Sequence, residues 1–106
     1  MFSQKENTPP AFIFCGQKGG VYSGAEILNC DGKLSPLDTN LQILSFRVTL
    51  AKGTEQKVYN FTGNKMSRAC LEQIVKDKAK VYIELVKCLY RRKQEVTLSP
   101  MILTVK

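Results

Sequence analysis

Residues 67–105 constrain the fold of this 106-residue chain more than any other stretch. They read as a short capped helix, a strand, a tight turn and a last strand. The spacing predicts a helix from residue 68 to about residue 76. Ser67 is placed as its N-cap, where a hydroxyl can accept a bond from an orphan N–H of the first turn. Met66 and Leu71 have the spacing of a hydrophobic staple, and Leu71, Ile74 and Val75 form the apolar stripe a helix lays on a sheet. Residues 81–88 are rich in β-branched and aromatic side chains and read as a strand. Arg91, Arg92 and Lys93 then make a polar turn. Residues 96–105 return as a final strand, bent or restarted at Pro100, which has no N–H for a ladder.

The rest of the chain adds short strands. Residues 1–10 are polar, end in Pro9-Pro10 and read as a flexible tail or linker. Residues 11–15 form a first candidate strand with apolar side chains on both faces, as in a strand buried between layers. The glycine-rich run 16–20 lacks the spacing of a phosphate loop, so its glycines are assigned to a hairpin turn. Ser23 and Glu26 have capping-box spacing and predict one helical turn, although Val21-Tyr22 equally carries a strand into it. Residues 29–40 read as a loop. Residues 41–51 alternate cleanly except for a phase change, which places a β-bulge near Ile43-Leu44. A turn at 52–55 returns the chain through 56–61, with Tyr59 and Phe61 on one face. The expected fold is therefore a single mainly-β domain over 11–106, a β-sandwich or an antiparallel sheet, with one short helix packed on it.

The composition narrows the chemistry. With no histidine, no Ser-His or Cys-His nucleophile can be assembled. The carboxylates are scattered and no metal or cofactor motif is present, so the sequence reads as non-catalytic, without cofactor or metal. No apolar run is long enough to span a membrane as a helix. The chain starts without a signal peptide, which leaves a cytoplasmic protein or a chain whose leader or anchor is missing here. The four cysteines, Cys15, Cys30, Cys70 and Cys88, allow two disulfides in three pairings. They equally fit buried thiols. Because Cys88 continues a strand pattern and Cys70 lies in the helix, core thiols are the favoured reading. The net charge of +7 lies mostly after residue 64. It suits an acidic partner, an anionic surface or nucleic acid, or simply a solvated surface.

One succession of residues carries a resemblance. It runs Gly19-Gly20, Ser23 and Glu26, then Phe46-x-Val48, Gly63-Asn64-Lys65-Met66-Ser67, and Lys80, Tyr82, Glu84 and Lys87 before a closing apolar strand. Over residues 10–105 this order resembles the C-terminal domain of the GldM/PorM family, periplasmic proteins of gliding motility and type IX secretion. The resemblance implies a mostly β domain at the tip of a periplasmic shaft, dimer formation, and contact with outer-membrane-associated proteins. It supplies no catalytic residues. The matching positions Gly19, Gly20, Ser23, Glu26, Phe46, Lys80, Tyr82, Glu84 and Lys87 serve folding as readily as contact.

Two departures stand out. Lys78 occupies the place where the family ends its helix with glycine. Tyr90, Arg91, Arg92 and Lys93 replace a glycine-containing turn. These four residues are the candidate partner contact, and their charge implies a more acidic partner. The expected function is thus an extracytoplasmic protein-interaction or structural module. The alternative is a small basic β-domain that binds single-stranded nucleic acid, with Tyr82 and Tyr90 as stacking surfaces. Nucleic acid is the less favoured partner because Tyr82 falls in a strand expected to be buried.

Overall fold

The computed structural model describes residues 11–106, so the tail expected at 1–10 lies outside the described residues. The fold is mainly β, as expected. Its elements, in order, are β1 (Phe12–Phe14), β2 (Gly20–Tyr22), α1 (Gly24–Asn29), β3 (Leu34–Pro36), β4 (Leu41–Lys52) and β5 (Glu55–Thr62). They continue with α2 (Arg68–Asp77), β6 (Lys80–Tyr90), β7 (Gln94–Leu98) and β8 (Met101–Val105). The main sheet runs β2-β8-β6-β4-β5, with β7 also paired to β6. Its ladders are antiparallel except for β2 on β8. A second, two-stranded sheet joins β1 to β3.

Alternation assigns the two faces of the main sheet. One row of facing positions is Tyr59, Val48, Ile83 and Met101; the next contains Leu50, Val81 and Leu103. Apart from Tyr59, which packs at the margin, these side chains are buried in one core with Cys70, Leu71 and Ile74 of α2, Ile27 of α1, and Phe12 and Phe14 of β1. Helices and small sheet therefore cover this face. Burial of such aliphatic side chains contributes about 1.5–3 kcal/mol each.

The capping signals in the sequence work locally. Ser23 Oγ accepts from the Glu26 N–H at 3.1 Å, and the Glu26 carboxylate accepts from the Ser23 N–H at 2.8 Å. That complete capping box opens a six-residue helix. The bond from the Ser23 N–H is the main cause holding the Glu26 carboxyl below its ordinary range. At α2, Ser67 Oγ accepts from the Cys70 N–H at 3.2 Å, and Met66 and Leu71 are both buried. The helix stops at Lys78, which takes the left-handed conformation with φ 48° that glycine would adopt more easily.

Three sequence expectations need correction. Residues 29–40 are not wholly loop: β3 lies within them and pairs with β1. Its position is fixed by Asn64, whose carbonyl accepts from the Leu34 N–H at 2.7 Å. Gly32 precedes it at φ +78°, where a Cβ would stand 2.8 Å from the Met66 carbonyl oxygen. Gly16, at φ +82°, does close a tight turn in which Phe14 and Gln17 exchange two backbone bonds, but the turn does not join two strands of one hairpin, since β1 and β2 pair with different sheets. The closing strand, by contrast, starts afresh after Pro100, one of the two expected forms, which gives β7 and β8. Finally, Cys15 and Cys30 are not thiols in the core but form a disulfide. Cys70 and Cys88 are buried and free, as the core-thiol reading had them.

The disulfide ties the end of β1 to the C-cap of α1, two short elements with few hydrogen bonds of their own. Burial pushes the Cys70 thiol up to about 12 and raises that of Cys88. Replacing Cys15 and Cys30 by serine should lower the unfolding free energy in urea by about 3 kcal/mol, the loop-closure value for a 15-residue separation. Alkylation at pH 8 should label Cys70 and Cys88 only after unfolding; labelling of the native protein would place them at the surface. The unfolded thiols ionise at lower pH than the folded ones, so stability should fall as pH rises from about 9 toward 12.

Candidate functional site

The other face of the main sheet has no layer over it among the described residues. Its rows follow from the same registers. One is Gln56, Ala51, Lys80, Thr104 and Val21; the next is Val58, Thr49, Tyr82 and Ile102; the third contains Asn60, Arg47 and Glu84. Beyond a bulge at Leu85, Lys87 and then Leu89 continue this face toward the β6–β7 turn.

The chemistry of the face is mixed. Glu84 Oε2 accepts from Arg47 Nε at 2.9 Å and from Thr49 Oγ1 at 2.9 Å, with Arg47 Nη2 at 2.8 Å. The carboxylate is thus neutralised in the middle of the sheet. A half-exposed pair of this kind contributes about 0–1 kcal/mol to stability. Lys80 Nζ lies 5.6 Å from the centre of the Tyr82 ring, within reach of a cation–π contact. Lys80 and Lys87 are exposed. Neither is in an ion pair among the described residues.

The sequence-predicted residues divide into two groups. Gly19, Gly20, Ser23, Glu26 and Phe46 are structural. Gly19 has φ +109°, and a Cβ there would stand 2.9 Å from the Ile102 carbonyl oxygen. Gly20, at φ +95°, opens β2. Ser23 and Glu26 cap α1. Phe46 is 3 % exposed and packs on Phe61, with ring centres 5.2 Å apart. By contrast, Lys80, Tyr82, Glu84 and Lys87 all gather on the open face. Tyr82 is half-buried there rather than enclosed, which differs from the sequence reading. The strand is covered on one face only, and residue 82 points away from the cover.

Tyr90, Arg91, Arg92 and Lys93 form the tip of the β6–β7 hairpin. The Lys93 N–H donates to the Tyr90 carbonyl at 2.9 Å, and the Arg91 N–H to the Asn40 carbonyl at 2.9 Å. Both central residues are left-handed, with φ 50° at Arg91 and 59° at Arg92. This is the backbone of a type I′ turn, which asparagine and glycine favour. With a Cβ, each such residue costs about 1–2 kcal/mol. Arg91, Arg92 and Lys93 are exposed and unpaired among the described residues. The Arg91 guanidinium lies 5.2 Å from the Tyr90 ring centre. Beside the two arginines is an open hollow of about 400 Å³ with Thr39, Asn40 and Gln42 on its wall.

Sequence reasoning missed the apolar part of the open face. Val21, Val58, Leu85 and Ile102 are between 47 % and 56 % exposed, and all four lie on it. Val58 and Ile102 were legible as the odd-phase apolar residues of strands whose other side is core. Leu85 was not, because its bulge leaves no sequence mark. Among the described residues no three cysteine, aspartate or glutamate side chains converge as a metal site. The sequence matches no family model and no curated protein.

The strain at the hairpin tip is measurable. Replacing Arg91 by asparagine and Arg92 by glycine should raise the unfolding free energy by about 1–2 kcal/mol. That corresponds to a rise in Tm of about 4–8 °C per kcal/mol for a domain of this size. No change on calorimetric melting would mean that the turn is not held in the left-handed form.

Proposed function

We propose that this chain is a non-catalytic protein-interaction module of the bacterial cell envelope that engages an acidic partner through the Tyr90–Lys93 turn. The observation that carries the reading is the pair of left-handed arginines. They hold unpaired guanidiniums at an exposed tip, at a conformational cost that asparagine and glycine would avoid. Strain of this kind is tolerated where side-chain chemistry is needed at that spot. A guanidinium fork matches carboxylates geometrically as well as by charge.

The Cys15–Cys30 disulfide supports an extracytoplasmic site, because cytosolic thiols are normally kept reduced. The resemblance to the GldM/PorM C-terminal domain supports the same placement and adds a role beside secretion or gliding components, with self-association as a further property. No helix among the described residues is long and apolar enough to cross a membrane. A second reading, binding of single-stranded nucleic acid, draws on Tyr82 and Lys80 together on the open face.

Replacing Arg91, Arg92 and Lys93 by serine should leave the melting curve no lower than wild type and abolish capture of the partner from envelope extract. Unchanged capture would remove the turn from the contact. Cell fractionation with thiol trapping should find the protein in the envelope with Cys15 and Cys30 oxidised. A reduced, cytosolic protein would overturn the localisation.

A further inference from the structure

We infer that the open face of the main sheet is a second docking surface, and that its occupant is an acidic, amphipathic segment of a partner protein. This rests on the reading of the chain as a protein-interaction module and adds a surface distinct from the hairpin tip. Of the five large apolar side chains exposed among the described residues, four (Val21, Val58, Leu85 and Ile102) are on this one face. Solvated sheet faces normally carry polar residues instead. Val21 and Val58 stand on the two outermost strands, four strand spacings apart, so the apolar zone is roughly 19 Å wide at about 4.8 Å per strand. Thr49 and Tyr82 lie between Val58 and Ile102 and the Arg47–Glu84 pair lies in the next row, so a partner on this face covers apolar and polar groups together.

Charge selects the occupant. Lys80 and Lys87 stand unpaired on this face, and the carboxylate at its centre, Glu84, is already held by Arg47 and Thr49; Glu95, beside Leu89 at the hairpin end, is exposed and unpaired among the described residues. The centre of the surface therefore offers the uncompensated positive charge of Lys80 and Lys87, with Glu95 the unpaired acid at the hairpin end. A second copy would bring the same lysines, on a chain of net charge +7, against them. A segment with apolar side chains flanked by aspartate or glutamate meets both features. Nucleic acid fits less well, because Tyr82 is the one aromatic side chain on this face among the described residues, and stacking needs aromatic rings. Leu89 connects the face to the hairpin hollow, so one partner chain can cross the sheet and place an acidic end at Arg91 and Arg92.

The test uses a displayed library of random peptides of about twelve residues, long enough as an extended chain to cross the roughly 19 Å zone, selected on the intact protein. The selected peptides should combine apolar residues with aspartate or glutamate. The double variant V58E/I102E should bind them at least tenfold more weakly, while the serine variant of the hairpin tip still binds. V58T/I102T, which keeps β-branched side chains and overall charge, should also weaken binding, with an unchanged melting curve showing that the fold is intact. Peptides without acidic enrichment, or equal binding to the face variants, would overturn the inference. Binding lost only in the hairpin variant would overturn it too and leave the proposed function standing. Tight, salt-sensitive binding of an oligo-dT strand to the face would replace it with the nucleic-acid reading.

Discussion

The β4–β6 ladder holds the rest of the molecule in place. Among the described residues, β6 alone is flanked over nearly its whole length on both sides: β4 on one, β8 and then β7 on the other. Each of the two long strands carries one extra residue. Ile43 faces Cys88, Ser45 faces Lys87 and Arg47 faces Glu84, so β4 gains a residue near Leu44 and β6 gains one near Leu85. A slip of one residue sends a strand's core set to the opposite face. Here the two insertions cancel, and the register beyond them is restored. Both strands change phase together: Ile43 and Cys88 stay in the core on one side of the break, and Val48 and Ile83 on the other. The same break keeps Lys87 on the open face with Tyr82 and Glu84.

The sequence made the regular parts of this arrangement readable. Ser67, Met66 and Leu71 marked the start of α2; Ser23 and Glu26 marked α1; the phase change in residues 41–51 located the bulge in β4. What stayed hidden has a common cause. Glycine and asparagine are the usual signs of left-handed backbone. Here Cys15, Lys78, Leu85, Arg91 and Arg92 take those conformations instead. The bulge in β6 was therefore silent, and the hairpin tip read as a generic polar turn. β3 was hidden differently. Three residues are too few to show a period, and the strand is defined by distant partners in β1 and at Asn64. The Cys15–Cys30 pairing depends on where α1 ends against β1, which spacing alone does not encode.

The candidate site was half legible for a related reason. A basic run is visible in any sequence, so Arg91, Arg92 and Lys93 stood out. An apolar patch on a sheet face is assembled from one residue per strand, across β2, β8, β6 and β5. In each strand that residue looks like an ordinary lapse in alternation. Only the registers, which set Val58 beside Thr49 and Ile102 beside Tyr82, turn the separate lapses into a surface. Lys80, Tyr82, Glu84 and Lys87, named from the family pattern, turned out to share that surface.

Charge and apolar area on this surface have different ranges of action. Lysines at the margin and arginines at the tip act over about a Debye length, about 8 Å at physiological ionic strength, and can orient an approaching acidic chain before contact. The aliphatic side chains act only on contact, by leaving water. The Arg47–Glu84–Thr49 group sits between the two. Its carboxylate is satisfied within the sheet, so covering it does not leave an unpaired acid, whereas removing Arg47 from a covered face would. A partner that arrives by charge and stays by apolar contact would show salt-sensitive association and far less salt-sensitive dissociation. Under the proposed function, this separation lets the turn serve encounter while the sheet face sets how long the complex lasts.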